Sequence, residues 1–388
     1  MTRPTVEVAD VLQAEGDRFI DQSPWLTFQQ LTVLRAIARC RTAALGGHVD
    51  TCSRCDYQTI SYNSCRNRHC PKCQAQARQR WLDAREKELL NVAYFHVVFT
   101  LPHELNGLCR RNARIIYNLL FRASAAAMLE VASNPEQLGA HIGFISVLHT
   151  WGQNLLLHPH IHCLVPAGGF SADHQRWIHP KYAFFLPVHA LSRVFRAKFV
   201  DGLRKAFRHG KLVSVGCMAE LGNRRRFAAF ANTLFAQKWV VYAKPAFAGA
   251  PQVLRYLGRY THRVAISNHR LLAFAGGRVT FRWKDYAHGN KQRKMTLTAT
   301  EFLRRFCQHI LPRGFVRIRQ FGFLTNTRRS TLLAVARRLL SPVPRPSSPS
   351  EAVTCSVWRC PRCTGEMRIG PNLTARQLAA RCRPLDTS

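Results

Sequence analysis

Acidic residues are scarce in this chain of 388 residues: 21 Asp and Glu stand against 57 Lys and Arg, for a formal charge of +36. Charge this lopsided repels itself when alone, which argues against a merely solubilising surface and for a polyanionic partner. Arginine, the commoner base here, suits phosphate through its forked donors, so the polyanion expected is nucleic acid. Runs of 18 or more apolar residues are also missing, which predicts no bilayer-spanning segment. No strongly basic amphipathic helix dominates, so a membrane surface is a poor alternative partner. The opening "MTRPTVEVADVLQAEGDRF" has early acids and no apolar stretch of signal-peptide type, so no secretory signal is expected. The sequence also lacks a GxxxxGK[ST] phosphate loop, and no nucleotide cofactor is expected. With no export route, the 14 cysteines belong in a reducing cytoplasm, some of them as metal ligands.

What is present is a folded protein. Hydrophobic residues make up 47% of the chain, enough for a sizeable core and for two or three units at about 150 residues each. From Val6 to about Arg41 the apolar spacing is helical, first Val8, Val11 and Leu12, then Phe28, Leu31, Leu34, Ile37 and Ala38. A cysteine-rich segment follows from Gly46 to Cys73, then a connecting helix ending near Asn91. "YFHVVFTLP" is β-branched and aromatic and opens a second unit. There the pattern predicts a helix over 107–133, strands over 143–151 and 160–165, a helix over 188–208, and strands over 239–243, 271–274 and 279–284. The last two are joined by the hairpin signal "AGG". The sum is α+β with a mostly antiparallel sheet. The expected domains are 1–91 (helices and the cysteine-rich segment), 92–311 (the α+β unit), 312–340 (a basic segment) and 341–388 (a tail). The linker "SPVPRPSSPSE" marks the last boundary.

Two CxxC pairs, Cys52/Cys55 and Cys70/Cys73, are separated by 14 residues. That interval places four thiolates on two knuckle turns able to close a tetrahedral zinc site, and buried free cysteines would not explain paired spacing. His48, Cys65 and His69 lie in the same segment, so either a substitution among ligands or a second zinc is open. Arg54, Arg66, Arg68 and Lys72 flank the knuckles and suit DNA, and His48 and His69 could equally contact phosphate. In the tail, "CSVWRCPRC" offers Cys360 and Cys363, with Cys355 before and Cys382 after, but no second CxxC half.

"LLLHPHIHCLVPAGG" sets His158, His160 and His162 on alternate positions of an apolar run. On a strand they share a face, while Ile161, Cys163 and Val165 turn into a core, so His160 and His162 can converge on one cation. Pro159 suggests that the strand starts after His158, leaving that residue auxiliary. Farther on, "VLRYLGRYTHRVAISN" places Tyr256 and Tyr260 four apart, on one face of a helix, among Arg255, Arg259 and Arg263. Such tyrosines are commonly core aromatics, but beside phosphate-binding arginines and a metal pair a phenolate can attack a phosphodiester.

Taken in order, "NSCRNRHCPKC", "FTLPHEL", "HIHCLVPAGG" and "YLGRYTHRVAISN" resemble the HUH rolling-circle transposases of bacterial insertion sequences, the two-tyrosine class with an N-terminal zinc-binding domain (the IS91 family). The resemblance runs from about Phe19 to Phe323. It implies a ferredoxin-like sheet with the histidines on a central strand and the tyrosines on a nearby helix, in a bacterial, nucleoid-associated protein. It implies that His160 and His162 hold Mg2+ or Mn2+, completed by a polar third ligand for which Gln153 is the candidate and His158 the reserve. It implies that Tyr256 and Tyr260 cleave single-stranded DNA at the element's ends, leaving a 5′-phosphotyrosine and a free 3′-OH. A plasmid replication initiator or relaxase would use the same chemistry. A non-catalytic, zinc-dependent DNA-binding protein is the alternative of another class.

Overall fold

The structure is a computed structural model that describes residues 4–181, 185–245, 258, 265–285, 288–340 and 358–381. The chain opens on two helices, α1 (Val8–Asp21) and α2 (Phe28–Ala38). Each starts on a capping box, Glu7 with Asp10 and Thr27 with Gln30, which satisfies N–H groups that a first helical turn leaves open. A hairpin, β1 (Gly47–Cys52) and β2 (Gln58–Tyr62), precedes helix α3 (Gln74–Glu86).

Next come β3 (Tyr94–Thr100), helices α4 (Asn106–Arg111) and α5 (Ala113–Ser133), and the long hairpin β4 (Gly143–Trp151) and β5 (Leu157–Pro166). The single helix expected over 107–133 breaks at Asn112, whose side chain exchanges two hydrogen bonds with the backbone of Val213, at 2.8 and 3.0 Å. A short hairpin, β6 (Gly169–Phe170) and β7 (Trp177–Ile178), leads to α6 (Val188–Arg208), α7 (Arg224–Ala236) and β8 (Val241–Pro245). Three strands follow: β9 (Leu271–Ala275), β10 (Arg278–Asp285) and β11 (Lys291–Thr298). The β9–β10 turn is the expected one, with Gly276 and Gly277 both at positive φ as a two-residue hairpin loop requires. The chain continues through α8 (Ala299–Cys307), β12 (Ile318–Gly322) and α9 (Arg329–Leu340), and ends in β13 (Met367–Arg368), β14 (Asn372–Leu373) and α10 (Ala375–Arg381).

The central sheet has the order β12-β4-β5-β3-β8, antiparallel throughout, so the protein is α+β as expected. One face carries the main core. Val97 and Phe99 of β3 and Ile161, Cys163 and Val165 of β5 pack with Phe121 and Met128 of α5 and Phe195 and Phe199 of α6. Each fully buried side chain of this size contributes about 1.5–3 kcal/mol. Helix α5 is long and apolar enough to cross a bilayer, but 67% of its most apolar stretch is buried inside the protein, as befits a core helix. On the opposite face, Leu333 and Ala336 of α9 cover Ile145 and Val147 of β4. Beside that cover the same face carries the histidines.

A second core does not respect the expected boundary at 91. Val8, Val11 and Leu12 of α1 and Val33, Leu34 and Ile37 of α2 pack with Phe281 of β10 and Phe302, Leu303 and Phe306 of α8. The boundary at 311 is crossed as well, because β12 completes the central sheet beside β4. Strand β11 went unread in the sequence because "KQRKMTLT" is mostly exposed; pairing with β10, including a Thr280–Thr296 hydroxyl contact at 2.8 Å, makes it a strand.

Candidate active site and cysteine clusters

Strand β5 begins at Leu157, ahead of Pro159 rather than after it. The register explains how proline is tolerated. His149 pairs with His160 and Trp151 with Leu157, so two residues of β5, His158 and Pro159, oppose the single Thr150. This is a β-bulge, and the missing N–H falls where the ladder is already interrupted. His158 is exposed there, while beyond the bulge the side chains alternate regularly.

His160 and His162 converge as expected, with ring centroids 4.8 Å apart. The third member of the group is His149 of β4, set beside them by strand pairing. One ligand nitrogen from each of His149, His160 and His162 lies within 4.8 Å of the others. Gln153, the expected third ligand, stands in the turn beyond β4, where its backbone carbonyl accepts a 2.5 Å hydrogen bond from Arg270. His158 contributes its carbonyl, to which His160 Nδ1 donates at 2.6 Å. A carbonyl has no proton to give, so the proton sits on Nδ1 and Nε2 of His160 keeps its lone pair. On the far side, Nδ1 of His162 is 2.7 Å from Nε2 of His96 on β3, a partner the sequence did not disclose. Burial holds His160 down to about 4 and His162 well below the usual imidazole range, so both rings are neutral, the form that binds metal.

The cysteines gather into two groups, and they are not the set that the spacing suggested. Cys40, Cys65, Cys70 and Cys73 form one; Cys52 and Cys55 leave their neighbours and meet Cys360 and Cys363 in the other. In the first, Sγ of Cys73 lies 3.5 Å from that of Cys40 and 3.6 Å from that of Cys65. These separations are far beyond a disulfide at about 2.05 Å and close to the edge, about 3.8 Å, of a tetrahedron of sulfurs around zinc. Hydrogen bonding, first from Cys65 and then from Cys70, brings the Cys40 thiol down to about 7, and Cys73 is held lower still, first by Cys40. The same sharing raises Cys65 and Cys70, again with Cys40 the largest cause. Four thiolates cannot coexist here without a cation, and zinc supplies the missing charge.

Neither alternate histidine joins these groups. His48 Nε2 lies 3.4 Å from the buried carboxylate of Asp50. His69 is buried, with Nδ1 against Asn67 at 3.1 Å and Nε2 accepting from the Leu311 N–H at 3.1 Å. Burial, then the charges of Arg68 and Arg317, push its pKa down to about 3, consistent with that acceptor role. Arg68, expected on DNA, donates instead to the carbonyls of Phe315 and Pro312 at 2.5 and 3.1 Å. Thus "NRHC" docks the cysteine loop onto the segment before β12. Arg66 is the exposed base of the pair, on a left-handed residue with φ 49°.

Two families match this architecture in turn: residues 11–101 match one described as "Transposase zinc-binding domain", and residues 143–331 one described as "Putative transposase". The chain is also 50% identical over 374 residues, 94% of each chain, to a putative transposase, y4qJ, of Sinorhizobium fredii. The chain belongs to the IS91 family of transposases. A more distant relative, the transposase for insertion sequence element IS801 of Pseudomonas savastanoi pv. phaseolicola, is 28% identical over 306 residues, 76% of this chain and 70% of that one. The zinc-binding match takes in Cys40, Cys65, Cys70 and Cys73 of this transposase, and structural zinc follows from the domain and the clustered thiols together. The other match spans His149, His160 and His162. Tyr256, Tyr260, Arg255, Arg259 and Arg263 lie outside the described residues. Gly258, between the two tyrosines, is described: it is helical and buried, and a Cβ on it would come within 2.7 Å of both Leu82 methyls on α3. Its lack of a side chain permits that close approach.

Proposed function

We propose that this transposase cleaves and rejoins single-stranded DNA through a covalent phosphotyrosine, mobilising its element by a rolling-circle-like route. The observation that carries the reading is the group His149, His160 and His162 on one sheet face, with the His160 ring fixed by its Nδ1–H bond to a carbonyl. Fixing the distal nitrogen of a ligand histidine is how proteins aim the other nitrogen at a metal. A divalent cation held by these residues supplies Lewis-acid polarisation of a phosphodiester. Three imidazoles form a softer donor set than Mg2+ prefers, so Mn2+ is the better fit.

Tyr256 or Tyr260 provides the nucleophile. The phenolate oxygen forms a bond to phosphorus, the P–O3′ bond breaks, and the 3′ oxygen leaves with a proton as a free 3′-OH. The second tyrosine permits another cleavage before the first end is released, and reversal by a 3′-OH rejoins the strand. The phosphotyrosine conserves the bond energy, so no nucleotide is consumed.

The test incubates end-labelled single strands with protein and Mn2+. A covalent protein–DNA adduct is expected; it should disappear in Tyr256→Phe with Tyr260→Phe and fall at least about 100-fold in His160→Ala with His162→Ala, DNA binding being retained. A wild-type protein that binds DNA but forms no adduct would instead be a non-catalytic DNA-binding protein.

A further inference from the structure

The cysteines at the two ends of the chain occupy one place. Sγ of Cys52 is 3.5 Å from that of Cys363, and Sγ of Cys55 is 3.7 Å from that of Cys360, both close to the tetrahedral edge about zinc and both too long for disulfides. The two CxxC turns are built alike: the Arg54 N–H donates to Cys52 Sγ at 3.4 Å, and the Arg362 N–H donates to Cys360 Sγ at 3.4 Å. Such N–H donors two residues after the first cysteine stabilise thiolate on each knuckle.

The backbone around the sulfurs is arranged for the same closure. β13 pairs with β1 at Thr51–Arg368 and Cys52–Met367, and β14 pairs with β1 at Gly47–Leu373 and His48–Asn372, so the tail extends the N-terminal hairpin into one sheet. At Gly365 any side chain would crowd the site, its Cβ falling 3.2 Å from Cys52 Sγ and 3.3 Å from Cys363 Sγ. Cys52 and Cys360 are buried together with Met367.

We propose that Cys52, Cys55, Cys360 and Cys363 form a second structural zinc site that clasps the C-terminal tail to the N-terminal hairpin. The matched zinc-binding domain ends at residue 101, so half of the ligands lie outside it. The strands that dock the tail are two residues each and too short to hold it alone, so the metal is the fastener. With the clasp closed, the exposed Arg359, Arg362 and Arg368 stand on the same small sheet unit as Arg54.

Cobalt titration of the metal-stripped full chain tests this without any substitution. Counted by the intense thiolate-to-cobalt absorption of four-sulfur sites, which cobalt on the histidine group does not give, two equivalents are expected. Saturation at one equivalent overturns the proposal. The variant Cys360→Ser with Cys363→Ser should show one thiolate-bound equivalent by the same absorption, and two would overturn the proposal. A specific protease site placed within 341–357 of the full chain gives a second readout: after cutting, the tail should co-elute with the body until zinc is chelated. A tail that leaves on cutting alone, or stays after chelation, overturns the clasp.

Discussion

The histidine group and the cysteine groups are assembled by opposite strategies. His149, His160, His162 and His96 sit on three adjacent antiparallel strands, so strand register alone brings them together. The cysteines are brought together by packing between distant segments: Cys40 stands at the end of α2, and Cys360 and Cys363 return from the far end of the chain to meet Cys52 and Cys55. A site made by register tolerates loss of its metal because the sheet exists without it. A site made across segments is itself part of what holds those segments.

The largest test of that contrast is Cys70→Ser. Cys70 is fully buried and belongs to the second core that α1 and α2 share with β10 and α8. The substitution should cost one zinc and most of the folding energy that it supplies, on the order of 10 kcal/mol for structural zinc. Proteolysis should then cut early within α1 and α2, whereas the His160→Ala, His162→Ala protein melts within a few degrees of wild type. Equal melting for the two would remove the distinction.

Inside the histidine group the contrast predicts a smaller, graded effect. His96→Ala removes the 2.7 Å partner of His162 Nδ1 while leaving β3 paired on both sides. Affinity for Mn2+, measured by calorimetry, should fall about 10- to 100-fold with the sheet intact. Partial recovery in His96→Gln would mark His96 as a positioning residue; unchanged affinity in the alanine variant would show that the contact is only packing.

The same contrast decides what could be read from the sequence. Alternation along "HPHIHCLV" is local, so the strand, the convergence of His160 and His162 and the buried face of Ile161, Cys163 and Val165 were all legible. His149 was missed because it is a lone histidine in "GFISVLHTW", and only the hairpin register places it opposite His160. For the cysteines, CxxC spacing revealed the ligand type but not which pairs combine. Adjacency suggested Cys52 and Cys55 with Cys70 and Cys73, and tertiary packing chose otherwise. Cys40 carries no motif, and the missing half for Cys360 and Cys363 lay at the other end of the chain. "NRHC" misled for a related reason: a half-buried arginine satisfied by carbonyls has the same letters as one awaiting phosphate.

Where the two regions meet, the turn after β4 inserts Leu155 into the second core, and His309 fastens it: Nδ1 accepts from the Thr150 hydroxyl at 3.1 Å, and Nε2 donates to the Leu155 carbonyl at 3.0 Å. Burial pushes this imidazole down to about 4, below its usual 6.5, against a smaller opposing effect of the Leu155 hydrogen bond. The unfolded chain therefore takes up a proton as pH falls through about 6.5, while the folded protein resists until about 4. The stabilisation is present above pH 6.5 and is lost as pH falls toward 4, by an amount on the order of 3 kcal/mol for this one group. His309→Gln can keep one donor and one acceptor without titrating. Denaturant midpoints should put the variant about 1–3 kcal/mol below wild type at pH 7 and close that gap by pH 4.5. Acid effects on the other histidines and on the thiolates are common to both proteins and cancel in the difference. A gap that stays constant from pH 7 to 4.5 would mean that the junction is held by Leu155 packing alone and that His309 does not make the seam acid-sensitive.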